Sequence, residues 1–111
     1  MSGYALALAL TLAIEVPLQA AVLRRLDNVA WRRAVGAAVL VNLVSHPLAF
    51  LVAYPLLRDP LGDTTTLLLV EVAVMFGEAW GLWRLTRQPE AALIAAAVAN
   101  SVSLTVGALL L

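Results

Sequence analysis

Four stretches of the 111-residue chain are apolar for long enough to cross a bilayer, each closed by charged or turn-forming residues. The first runs from about 3 to 23 and stops at Arg24 and Arg25, and the second, from about 34 to 57, stops at the stretch RDPLGD. The third runs from about 64 to 83 and the fourth from about 90 to 111. A hydrocarbon core about 30 Å thick needs roughly 20 apolar residues of helix, so each segment qualifies as a span. The Pro, Gly and Asp of RDPLGD predict a turn. Short connections predict antiparallel neighbours, so the expected fold class is all-α: a polytopic membrane protein forming one four-transmembrane-helix bundle.

The polar residues inside these spans recur at helical spacing. Thr11, Glu15 and Gln19 lie at i, i+4, i+8, and Asn42 and His46 at i, i+4. Glu71 and Glu78 lie at i, i+7, and Asn100, Ser103 and Gly107 at i, i+3, i+7. Each predicted helix therefore carries one polar stripe, which turns inward because lipid satisfies neither donors nor acceptors. At about 1.5 Å per residue, Glu15 lies roughly 13 Å from Arg24, Asn42 about as far from Arg33, Asn100 about 15 Å from Glu90 and Glu78 about 9 Å from Arg84. Those four predict one polar layer. His46 and Glu71, each about 20 Å from the same boundary, predict a second, with Ser103 close by.

Composition agrees with a lipid environment. The chain is 63% hydrophobic with a mean hydropathy of +0.96, which makes the bilayer its first partner. There is no cysteine, which excludes disulfides and thiolate metal ligands. Net charge is zero, giving no case for a nucleic-acid partner. Arg24, Arg25, Arg32, Arg33, Arg84 and Arg87 gather at one end, with Arg58 alone at the other. The positive-inside rule predicts an inner-membrane protein with both termini outside. Trp31, Trp80 and Trp83 fall at the arginine boundary and Tyr4 and Tyr54 at the opposite one, as interfacial anchors would. The first segment lacks a basic n-region, so it is expected to be a permanent helix and not a signal peptide.

Glu15 followed by N-L-V-S (Asn42, Ser45), and Glu78 followed by N-S-V-S (Asn100, Ser103), read as a parallel repeat of two hairpins. His46 and Glu71 have no counterparts in the other half. Singly, the Asn and Ser residues read as interhelical glue. The acids do not, because a charge at the centre of a membrane helix costs about 2.5 to 3.5 kcal/mol on insertion scales. Glu15, Asn42, Ser45, His46, Glu71, Glu78, Asn100 and Ser103 are thus the candidate ion- or proton-binding residues, with His46, Glu71 and Glu78 the candidate metal ligands. Oxygen donors with one imidazole suit a hard or borderline divalent metal ion, and the lack of Cys and scarcity of Met argue against copper.

Three functions stay open at this point. One is transport or binding of a cation or small cationic substrate, proton-linked through the carboxylates. Another is an intramembrane metal-dependent hydrolase, with a metal on His46 and Glu71 and with Glu15 or Glu78 as base, although no H-E-x-x-H signature is present. The last is a structural or assembly subunit whose polar layer sets helix order. Pro47 predicts a kink beside the polar residues. Gly77 and Gly81, with Ala92, Ala96 and Ala99, predict close helix packing or a homo-oligomer seam.

The E-V-P of Glu15 to Pro17, the N-L-V-S-H-P of Asn42 to Pro47, the spaced Glu71 and Glu78, and the N-S-V-S of Asn100 to Ser103 resemble a set of small uncharacterised bacterial four-helix membrane proteins. Their pattern is E-x-P, N-x-x-[ST]-H-P, spaced Glu and N-x-x-S, and it implies the same choice of residues without implying a reaction. The length and the glutamate within the first span also look like small multidrug resistance exporters, in which such a glutamate couples protons to cationic substrates. Only Glu15 matches there, and the further acids and one-sided arginines depart from that pattern.

Overall fold

The computed structural model describes residues 3–110, apart from the side chains of residues 3–5, 7, 107, 108 and 110. The expectations for Tyr4 and Gly107 fall on those side chains and lie outside the described residues. Helix α1 spans Gly3–Asp27, α3 spans Asp63–Thr86 and α4 spans Pro89–Leu110. Between α1 and α3, α2 runs continuously over Trp31–Leu61. Three of the helices, α2, α3 and Pro89–Val106 within α4, are long and apolar enough to cross a membrane.

Local chemistry explains the breaks. Asn28 takes a left-handed φ of 58° after α1, and Val29 N–H reaches back to the Leu23 carbonyl at 3.4 Å. That is a Schellman close, which Asn tolerates better than most residues. Gly62, at φ 82°, separates α2 from α3. The turn expected over the whole of RDPLGD is therefore confined to one residue: helix persists through Pro60 and Leu61, and only the residue without a Cβ adopts the turn conformation. Pro47 ends the α-helical part of α2, and the π-helical stretch Leu48–Ala53 follows before α-helix resumes at Tyr54. Pro47 and Pro55 both lack an N–H, so the backbone between them relaxes into a wider turn.

The helices form a ring in which α1 touches α2 and α4, and α3 touches α2 and α4, while among the described residues neither diagonal pair makes backbone contact. Three reversals make every neighbouring pair antiparallel. The core is built of small residues: Ala91, Ala92, Ala95, Ala96 and Ala99 of α4 are buried, as are Ala34, Ala37 and Ala38 of α2. Gly81 lets α2 approach α3, since a Cβ there would come within 2.9 Å of Val41 Cγ2. Leu23 and Leu82 are the large apolar side chains fully buried with them, while many others point outward, among them Leu40, Leu51, Leu56, Leu68, Phe76 and Leu93. Acids inside and leucines outside are the arrangement of a protein solvated by lipid.

Candidate functional site

The polar stripes meet in the ring's centre, where Glu15 is 1% exposed, Gln19 0%, Asn42 0%, His46 3%, Glu78 0% and Asn100 5%. Side chains in an α-helix lean toward its N-terminus. Glu15 on α1 and Glu78 on α3 therefore lean away from the arginine end, whereas Asn42 and His46 on α2 and Asn100 on α4 lean toward it. Residues whose Cα atoms sit at different heights are thus brought to one level.

Glu78 is the hub. Its Oε1 accepts hydrogen bonds from Gln19 Nε2 at 3.0 Å and Asn100 Nδ2 at 2.7 Å. Its Oε2 accepts from Ser45 Oγ at 2.5 Å and lies 3.3 Å from His46 Nε2. Three donors and an imidazole fill the four lone-pair positions that an ionised carboxylate offers. Asn42 Nδ2 donates to Gln19 Oε1 at 2.8 Å, so the amides brace one another behind the carboxylate. Both asparagines also hold the carbonyl four residues back, Ala38 at 2.7 Å and Ala96 at 2.8 Å, which fixes their rotamers.

His46 Nε2 faces three acceptors at once: Glu15 Oε1 at 3.3 Å, Glu78 Oε2 at 3.3 Å and Asn42 Oδ1 at 3.2 Å. A ring nitrogen carries at most one proton and can satisfy only one of them fully. Glu15, His46 and Glu78 each offer one ligand atom, all within 4.8 Å of one another, and so could hold a metal ion. Ser103 lies beside Glu15. Phe50, one turn along α2, stacks on the imidazole at 6.0 Å and 13°. His46 Nδ1 and Asn100 Oδ1 are buried without partners among the described residues.

The structure rearranges the expected metal set. Glu15, not Glu71, completes the group with His46 and Glu78. Glu71 is only partly buried, two turns along α3 from Glu78, and its side chain leans farther from the arginine end. It faces the charges of Glu15, His46 and Glu78 through space without joining their group. The two expected layers accordingly merge, with His46 leaning into the first. Gln19 is a member of the network that the list of candidate residues omitted. Its signal was its place on the Glu15 stripe, four residues on.

No family model matches this chain, and no curated protein or solved structure matches it.

Proposed function

We propose that this is a four-span integral membrane protein, with α1 as the fourth crossing, that binds a divalent cation at Glu15, His46 and Glu78 and moves it in exchange for protons. The convergence of two carboxylate oxygens and one amide oxygen on a single imidazole nitrogen carries this reading. One imidazole with two carboxylates suits a hard or borderline ion such as Mn²⁺ or Zn²⁺. The exchange follows from the ligands: a metal needs their lone pairs free, so each ion bound displaces protons and each proton bound opposes the ion. Complete burial supports an occluded binding state, since a site reached alternately from two sides must close between them.

Flux of Zn²⁺ or Mn²⁺ into proteoliposomes, read together with lumenal pH, tests the proposal. The expected result is ion uptake coupled to proton movement, abolished by Glu15→Gln and by Glu78→Gln. Uptake at the rate of empty vesicles by wild-type protein that binds the ion would reject transport and leave a binding protein.

A further inference from the structure

Two apolar grooves meet in the outer wall of the bundle, along the seam between α2 and α3. One, of about 440 Å³, starts at Arg84 and Leu85, passes Trp80 and reaches Ser45, Leu48 and Gly77. The other, of about 420 Å³, continues from the same three residues toward Leu57 and Leu69. A smaller pocket of about 160 Å³, walled by Arg33 and Gly36, adjoins the first at Leu40 and Leu85. The first groove therefore has a mouth flanked by two arginines and a floor of hydrocarbon.

Neither arginine is neutralised. Among the described residues the only ion pair involving an arginine is Arg58 with Asp63. Arg33 donates Nε to the Leu85 carbonyl at 3.0 Å, which ties α2 to the end of α3 and leaves the rest of its donor fork available. Arg84 lies over the Trp83 ring at 6.0 Å. Gly77 would meet no atom within 4 Å if it carried a Cβ, so the groove's floor there is open. From Leu40 to Leu48 α2 rises about 12 Å, close to the roughly 15 Å of one leaflet's hydrocarbon.

We infer that this groove holds an anionic phospholipid, its phosphodiester between Arg33 and Arg84 and one acyl chain lying over Gly77 toward Ser45 and Leu48. Charge complementarity selects the occupant: a cationic mouth on a hydrocarbon channel matches an anionic head on an acyl chain. The guanidinium fork pairs with phosphate oxygens two at a time, and arginines at headgroup level concentrate anionic lipid. The chain would end beside Ser45, whose hydroxyl is bonded to Glu78.

Trp80, 62% exposed and lining this groove, is a built-in reporter. With Trp31→Phe and Trp83→Phe it is the sole tryptophan and is excited selectively. The protein is reconstituted in vesicles containing equal mole fractions of brominated phosphatidylglycerol or brominated phosphatidylcholine, and quenching is compared. The expected preference for phosphatidylglycerol is roughly fivefold per engaged arginine. It falls to about one in Arg33→Gln/Arg84→Gln and returns in Arg33→Lys/Arg84→Lys. Gly77→Leu, which fills the floor, lowers quenching by phosphatidylglycerol with both arginines intact. Equal quenching by the two lipids in the parent overturns the inference, and so does phosphatidylglycerol quenching unchanged by Gly77→Leu. Should the double variant fail to fold, Arg84→Gln alone decides, because the Arg84 guanidinium makes no hydrogen bond among the described residues.

Discussion

The two hairpins, α1 with α2 and α3 with α4, contain the same clasp with one chemical difference. In each, an asparagine on the second helix donates Nδ2 both to the carbonyl four residues back and to a side-chain oxygen on the first helix. In the first hairpin that oxygen is the amide of Gln19; in the second it is the carboxylate of Glu78, so Gln19, and not Glu15 as the sequence pattern suggested, is the counterpart of Glu78 in the clasp. One turn farther from the arginine end the hairpins diverge again. The first places Glu15 and His46 there, and the corresponding positions of the second, four residues before Glu78 and four after Asn100, are Val74 and Leu104. A neutral clasp is enough to pair two membrane helices. The charged version is worth its cost only where something uses the charge, and the proposed centre lies where the second hairpin's carboxylate meets the first hairpin's extra turn.

If that comparison is right, the largest loss of stability follows Glu78→Ala, which strands the donors of Gln19, Ser45 and Asn100 and the imidazole of His46. Breaking a buried charged group out of its partners costs about 3–5 kcal/mol, measurable by reversible unfolding in mixed micelles. Next comes the contrast between the clasps. Asn100→Ala removes a hydrogen bond to a carboxylate and is expected to cost about 1.5–3 kcal/mol, against about 0.5–1.5 kcal/mol for Asn42→Ala, whose main partner is an amide. Equal costs would mean that the two clasps do not differ in charge as described. Smallest is Glu71→Gln, expected within about 0.5 kcal/mol of wild type because the change touches no member of the Glu78 network. A pH series on ion binding sharpens the contrast between the charged and neutral clasps. Protons compete for the lone pairs of Glu15, His46 and Glu78, so ion affinity is expected to fall as the medium is acidified.

The helices and the identity of most polar residues were legible because both depend on periodicity: apolar runs give length, and i, i+4 spacing gives the face. The partners of each acid were not legible from depth alone. Counting rise per residue placed His46 beside Glu71 and away from Glu15, yet α1 and α3 lean their side chains one way and α2 the other, which reverses the pairing. Gln19 was visible on its stripe but carries no charge to mark it out. The confinement of the turn to Gly62 was hidden because RDPLGD contains a proline and two aspartates as well as the glycine, and composition cannot say which residue bends. The π-helical stretch after Pro47 follows from two prolines eight residues apart, a pattern that reads in sequence only as a kink.

The most direct test of the proposed centre is the metal content of the purified protein after incubation with Zn²⁺ or Mn²⁺ and removal of excess, comparing wild type with Glu15→Gln, Glu78→Gln and Glu71→Gln. A centre at Glu15, His46 and Glu78 predicts about one ion per chain in wild type and in Glu71→Gln, and none in the other two. No ion in wild type, or equal loss in Glu71→Gln, would contradict it.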